Sequence, residues 1–586
     1  MFSVGFTILF LLVVLVSGNA VKKKVVFVSL FGYTPTTYMA MATHALPDKT
    51  AFNTDVDYRF VTYRDHASIV DEHGLDSEKV IYFNFSTSLL DPSKRMHINQ
   101  HIADDNLHGL SALLLETAER NYRNEVRELW AMFKKEKPDL LVIDCLATRY
   151  SIKCMNMNLC LIPDPVFLLW LSLVCGVYFI LLFHISSFYL NYSAIDLGHH
   201  LRIPFMVFYH TPILGLFGIE DAMHLPDNIL GTREHQLTLY NRIQRIVSMP
   251  TMILAFSPPS NVLNSIRKGF GFITYNDPAF LVRDHPILVT SVFGFEYARP
   301  TSPLVKLVGM MYNNSTTSIQ PSTPADSLVL DWLGAGEGCV VYVHFGTEAV
   351  PSRSVILTVL QGILGVTCRA LVSIRAEILV HLDMPIQQLT SLHRYQDGNL
   401  KSSDDVMVVH WVSSRMILHH PLVKSFVCHG GAQSIVESIY ALVPLLMLPQ
   451  GGDRYAITAR VLDLQIGLAL DHHSMSVEQV QRALEHLLDP LHRANIQAKM
   501  TWLVKVNHYA GGGLEGAVRY IEEILEGGYE HLLPLPLPPL AIGGVDALLV
   551  LGLVLLAVIW GVWRGVWMMW RWLAPRGSAE KKTKTH

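Results

Sequence analysis

Short apolar runs separated by polar and glycine-rich turns recur along most of this chain. Examples are VVFVSL at 25–30, KPDLLVIDC at 137–145, CVVYVHF at 339–345, SFVC at 425–428 and PLLMLP at 444–449. Each has strand length, and none alternates apolar with polar. Unbroken runs of this kind suit strands covered on both faces, as in parallel sheets. Helical patterns lie between them, so the chain reads as two parallel α/β halves, about 21–298 and 299–526.

Three longer stretches have a different character. The first, MFSVGFTILFLLVVLVSGNA at 1–20, has the apolar run and small terminal residues of a signal peptide. The second, at 547–570, is apolar and interrupted only by Arg564, and ends in a cluster of tryptophans. At about 1.5 Å per residue it is long enough to span a bilayer if Arg564 snorkels. Basic residues Arg571, Arg576, Lys581, Lys582 and Lys584 follow it. This predicts a transmembrane helix with a cytosolic tail at 571–586 and the bulk of the chain on the lumenal side. The ending KTKTH resembles a lysine-based endoplasmic reticulum retrieval signal.

The third stretch does not fit. Residues 151–192 include an uncharged run from Val166 to Phe183, inside the first half. Tyr150-Ser151 and Tyr192-Ser193 repeat one dipeptide at its edges. Without the block, DCLATRY joins SAIDLGHHLRIPFMVF as a continuous strand–helix–strand pattern. The block reads either as a translated retained intron or as an authentic insertion that touches membrane or a lipid acceptor.

Composition adds limits. A hydrophobic content of 50% agrees with membrane segments, and a net charge of −4 gives no reason to expect nucleic acid. The 7 cysteines show no zinc or disulfide spacing and read as buried structural thiols. His199-His200 and His472-His473 lack ligand spacing and read as surface residues. Asn84, Asn191, Asn313 and Asn314 stand in glycosylation sequons.

The chemistry is concentrated at 411–453, which reads strand, glycine turn, helix, strand. Polar groups gather at the carboxyl ends of both strands, the edge where parallel sheets bind ligands. Glycines let the backbone approach a phosphate, and a helix start offers N–H donors. Trp411, His420-Pro421, Phe426, His429-Gly430-Gly431, Ser434, Glu437, Pro444, Pro449 and Asp453 together resemble the nucleotide-sugar motif of the UDP-glycosyltransferases. LEGAVRYIEEILEGGYEHLLP, ahead of the predicted span, resembles the membrane-bound branch that includes the glucuronosyltransferases.

The resemblance implies a GT-B fold, with two Rossmann-like domains facing a cleft. It implies a UDP-sugar donor, a lipophilic small-molecule acceptor and inverting transfer of a hexose or hexuronate. No metal and no cofactor beyond the donor co-substrate are implied, and homo-oligomerisation stays open. Trp411 would stack on uracil, Glu437 would accept from the ribose hydroxyls, and Asp453 would hold sugar hydroxyls. His429, with the amides of Gly430, Gly431 and Ser434, would hold the diphosphate, and Thr347 is a second phosphate contact. The family usually has Gln where this chain has Ser414 and Arg454, and Asn where it has Gln433 and Ile457. Its catalytic pair is a His oriented by an Asp. Asp144 fits the second position, but Tyr33 occupies the first, with His44 the nearest substitute. A phenol with a pKa near 10 is about a thousandth ionised at pH 7. That leaves a catalytically weak UDP-sugar-binding protein as the alternative to an active transferase, and a multi-span transporter or receptor behind both.

Overall fold

The computed structural model describes residues 23–29, 40, 56–64, 71, 75–83, 122–135, 137–145, 192–209, 262–275, 282, 284–298, 301–312, 321, 323–346, 349–384, 389, 395–396, 399–400, 405–450, 454–533 and 545–573. The predicted signal peptide, Tyr33, His44, residues 151–191, Thr347, Asp453, the four sequon asparagines and the tail after 573 lie outside them. The chain divides into two compact units, Met1–His531 and Leu532–His586.

Within the first unit, the described strands build two main parallel sheets. One has seven strands in the order β3-β2-β1-β4-β5-β6-β7. These are β1 (Lys23–Ser29), β2 (Val56–Tyr63), β3 (Val80–Phe83), β4 (Leu140–Cys145), β5 (Phe205–Tyr209), β6 (Ile287–Val289) and β7 (Val305–Leu307). The other has six in the order β12-β9-β8-β13-β14-β15. These are β8 (Val340–His344), β9 (Arg369–Ser373), β12 (Val406–Val409), β13 (Val423–Cys428), β14 (Leu445–Met447) and β15 (Gly467–Ala469). A small antiparallel pair, β10 (Tyr395–Gln396) and β11 (Asn399–Leu400), stands apart from both.

The apolar runs are these strands, and their burial explains why they do not alternate. β5, β8 and β9 are buried at every position. In β8 and β13, Tyr342 and Phe426 stack with centroids 5.0 Å apart. Such aromatic pairs add about 0.5–1.5 kcal/mol beyond area burial. Helices flank the strands: α1 (122–135), α2 (Tyr192–Leu201), α3 (262–270), α4 (Pro324–Ala335), α5 (Arg353–Gly365), α6 (Ser414–Leu418), α7 (Ala432–Ala441), α8 (Arg454–Asp463), α9 (Val477–Leu488), α10 (Pro490–Ala510) and α11 (Leu514–Gly527). Each sheet has its own buried apolar cluster.

Buried polar contacts join the two sets of elements. Asn507 of α10 holds both backbone groups of Met310: its Oδ1 accepts from the N–H at 2.5 Å, and its Nδ2 donates to the carbonyl at 3.0 Å. Tyr520 of α11 donates to the Leu304 carbonyl at 2.8 Å. Arg460 of α8 and Glu296, which follows β6, form a fully buried ion pair at 2.8 Å. A second buried pair, Arg267–Asp196 at 2.8 Å, ties α3 to α2. Tyr122 and Tyr275 also donate to the Asp196 carboxylate, so three segments converge on one charge.

Two sequence expectations are corrected. Cys339 and Cys368 form a disulfide, with Cα atoms 4.8 Å apart, and are not isolated thiols. Each precedes one of two paired strands, where Val340 is the register partner of Arg369. A sequence separation of 29 therefore becomes direct adjacency. Cys428 is a free, buried thiol as expected. His199 is not simply a surface residue, because its ring packs edge-on against Phe205 and His285 at 5.1 and 5.0 Å.

The second unit contains α12 (Val545–Leu573). Its stretch Leu549–Trp570, with mean hydropathy 2.2, is long and apolar enough to cross a membrane.

Candidate functional site

Strand order locates the site. In the six-stranded sheet the order reverses between β8 and β13, and such a switch point opens a crevice at the carboxyl ends of the strands. Val409, Ser373, His344, Cys428 and Met447 form one register row across this edge. Just beyond the row lie Trp411, His429 and Arg454. Residues far apart in sequence thus line one edge because the strands end level.

The turn after β13 is built around glycine. Gly430 has φ 92° and Gly346, after β8, has φ 69°, both in the left-handed region. A Cβ on Gly346 would lie 2.4 Å from Cε1 of His429, and one on Gly431 would lie 2.7 Å from its Nε2. The His429 imidazole is therefore gripped between two bare Cα atoms. It is 5% exposed, and its Nδ1 is enclosed without a hydrogen-bond partner among the described residues. Burial, with Arg454 and His344 beside it, pushes its pKa well below the usual histidine value. At neutral pH the ring is uncharged and carries one N–H donor.

Gly431 caps α7 without a side-chain hydrogen bond. The first amides of α7 have no intrahelical acceptor and form the positive end of the helix dipole. Further polar atoms wait nearby. Gln433 Oε1 and Gln450 Nε2 are buried and unpartnered among the described residues. Each such group costs about 1–3 kcal/mol until something binds it. Their gathering at the ligand edge, one an acceptor and the other a donor, marks a place for a polar molecule that both donates and accepts hydrogen bonds.

The remaining sequence candidates distribute around this edge. Trp411 is 43% exposed and meets His344 edge-on at 6.0 Å. Glu437 lies one turn along α7 and accepts from Gln433 Nε2 at 2.9 Å. Ser434 is buried on α7. The Ser414 hydroxyl is 2.9 Å from the Tyr342 hydroxyl, turned toward the strand beneath it. Arg454 opens α8, with its Cβ 3.2 Å from the Cβ position built on Gly430, and its Nη1 donates to the Gln450 carbonyl. Asp144 lies near the end of β4, opposite Phe208 in register. β4 adjoins β1, the strand that leads toward Tyr33, at the switch point of the other sheet.

His344 escaped the sequence reading. Its Nδ1 hydrogen-bonds the Ser373 carbonyl at 3.2 Å, and burial lowers its pKa to about 4. The signal was present, since an imidazole closes an otherwise apolar strand just before a glycine.

Residues 228–532 match the family described as UDP-glucoronosyl and UDP-glucosyl transferase. Among similar proteins is the ecdysteroid UDP-glucosyltransferase of Choristoneura fumiferana defective polyhedrosis virus. It is 24% identical over 298 residues, covering 50% of this chain and 53% of that protein. UDP-glucuronosyltransferase 2B7 of Rattus norvegicus is 26% identical over 277 residues, covering 46% and 47%. The match to 2-hydroxyacylsphingosine 1-beta-galactosyltransferase of Homo sapiens is 27% identical over 213 residues, covering 36% and 35%. The chain thus matches at most about half the length of these relatives. A solved structure, the glycotransferase of kitacinnamycin, superposes with a TM-score of 0.52 at 14% identity, over 88% of this chain and 100% of that one. With the two parallel sheets, this likeness shows a GT-B fold.

Proposed function

Because the chain belongs to the UDP-glucuronosyl and UDP-glucosyl transferase family, we propose that it binds a UDP-sugar at the β8/β13 edge and transfers the sugar to a lipophilic hydroxyl. The observation that carries this reading is the His429 cradle, a neutral imidazole held between glycines beside an uncapped helix start. The indole of Trp411 covers the uracil face, a contact worth about 1–3 kcal/mol for a stacked base. Glu437 accepts from the ribose diol. His429 and the first amides of α7 donate to the diphosphate, and Thr347 adds a hydroxyl. Asp453 and Arg454 meet the sugar, and a guanidinium there favours a carboxylated hexose such as glucuronate.

The acceptor oxygen attacks C1 from the face opposite the diphosphate. The bond from C1 to the diphosphate oxygen breaks, and the configuration inverts. Charge grows on the leaving diphosphate, so donors already aimed at it contribute to rate as well as binding. The acceptor proton would pass to a base oriented by Asp144. In sequence, Tyr33 occupies the place where the family has its histidine. Without an efficient base the rate falls by about 10²–10⁴-fold. This supports a second reading, a UDP-sugar-binding protein with slow turnover.

We further propose a type I protein of the endoplasmic reticulum membrane, with a cleaved leader and a lumenal body. The disulfide Cys339–Cys368 supports that placement, because such bonds persist in oxidising compartments. Calorimetry with UDP on the purified full chain tests the donor site, and no heat with any uridine diphosphate would refute it. A panel of radiolabelled UDP-sugars then separates the readings. Transfer that rises about a hundredfold in Tyr33→His, at unchanged UDP affinity, identifies a degenerate enzyme.

A further inference from the structure

His344 ends the central strand of the six-stranded sheet, at the switch point and beside both proposed nucleotide contacts. It is only 8% exposed. Its ring lies parallel to Tyr342 at 6.0 Å, meets Trp411 edge-on at 6.0 Å, and ends its strand beside the one leading into His429. Packing on these sides fixes the orientation of the ring.

The hydrogen bond settles its protonation. Nδ1 faces the Ser373 carbonyl at 3.2 Å, and a carbonyl only accepts, so Nδ1 carries the proton. Burial, and more weakly the charge of Arg375, keep the ring neutral at physiological pH. Nε2 is therefore a bare lone pair, and it has no hydrogen-bond partner among the described residues. A lone pair repels phosphate oxygens, which are also acceptors. It needs a donor, and a UDP-sugar offers the uracil N3–H, the ribose hydroxyls and the hydroxyls of the sugar. Because His344 packs against Trp411, the proposed uracil platform, the donors within its reach are those of the nucleoside.

We infer that His344 is a specificity-determining residue whose Nε2 accepts a hydrogen bond from an N–H or O–H of the uridine. The two sides of the site then differ in polarity. His429 and the helix amides donate to the diphosphate, while His344 accepts from the nucleoside. The inference rests on the proposed UDP-sugar reading, and deepens it by naming an atom that senses the nucleoside.

The test is calorimetry on the full chain with UDP, N3-methyl-UDP, 2′-deoxy-UDP and 3′-deoxy-UDP. His344→Phe keeps a planar ring and removes the acceptor. His344→Gln restores an acceptor through its amide oxygen. UDP should bind about tenfold more weakly to the Phe variant, and closer to normally to the Gln variant. In the wild type, one analogue should lose a similar factor, and in the Phe variant that analogue should match UDP. Which analogue closes the gap distinguishes a base N–H from a ribose hydroxyl. Normal UDP affinity in His344→Phe overturns the inference. So does a loss shared equally by all four ligands, or uptake of about one proton on UDP binding to the wild type that the Gln variant abolishes, since that would mean His344 charges to meet phosphate. Should the Phe variant not fold, the Gln variant, the analogue series and the proton count still decide. Absence of UDP binding to the wild type refutes the donor-site reading instead, so the two failures are separable.

Discussion

Removing the guanidinium of Arg460 should be among the most damaging single changes on α8. The Arg460 Nη2–Glu296 Oε1 distance is 2.8 Å, and both side chains are 0% exposed. At an effective dielectric of about 20, that separation gives about 6 kcal/mol of attraction, offset by the cost of desolvating both ions. The guanidinium also lies 4.4 Å over the Tyr297 ring, and the Tyr297 hydroxyl binds the Asp463 carboxylate at the end of the same helix. Arg460→Met keeps much of the volume but leaves Glu296 charged and buried, which costs about 3–5 kcal/mol. Adding Glu296→Gln removes that charge, and the double variant should return to within about 1 kcal/mol of the wild type. Thermal unfolding by scanning calorimetry would read the difference. If the second half melts as a unit of roughly 230 residues, the single variant should melt about 6–10 °C lower and the double variant about 0–2 °C lower. A single variant that melts no lower than the double would show that the pair is not an internal ion pair, and the reasoning would fail.

Gly346→Ala and Gly431→Ala should each weaken UDP binding by at least about tenfold, because their Cβ atoms would lie 2.4 and 2.7 Å from the His429 ring. Titration with UDP checks this, and normal affinity in both would dissolve the cradle. Replacing Cys339 and Cys368 by Ser should cost about 3–4 kcal/mol by loop entropy, and non-reducing peptide mapping should recover the linked pair from the native protein. Stability should fall as pH drops from about 6.5 toward 4. His344, with a pKa of about 4 in the fold and about 6.5 unfolded, binds a proton more readily when unfolded in that window. Its share is about 3 kcal/mol, and His344→Gln should flatten the pH dependence of the unfolding free energy, read by denaturant titration, by that amount. A chain lacking residues 151–192 should fold and bind UDP like the full chain, as unfolding and titration would reveal; loss of the folded state would make the block integral.

The strand–turn–helix edge proposed for the donor was legible because its parts are local. A buried strand, a glycine turn and a helix start lie next to each other in 423–441, and no tertiary contact is needed to recognise them. The hidden features are all products of register or of distant burial. Cys339 and Cys368 become neighbours only when Val340 pairs with Arg369. Arg460 and Glu296 are separated by 164 residues, and in sequence each looks like an ordinary surface charge. His344 reads as one polar residue in a strand until Ser373 and Trp411 arrive beside it.

Register and burial also constrain the chain around the block at 151–192. β4 and β5 are adjacent and parallel, with Leu141 opposite Phe205, and α2 is the helix between them. Such a strand–helix–strand unit usually needs only about 2–6 residues between strand and helix. Here residues 146–191 intervene. α2 begins at Tyr192, whose buried ring lies 5.1 Å from the Arg267 guanidinium, while Arg267 binds Asp196 one turn later. Removing 151–192 brings Tyr150 to the position of Tyr192, directly before Ser193. The shortened chain would keep a tyrosine on Arg267, a serine to donate to Glu125 and a connection of ordinary length. The repeated Tyr-Ser therefore restores the packing that α2 requires. A random cut of the same size would have no reason to preserve it.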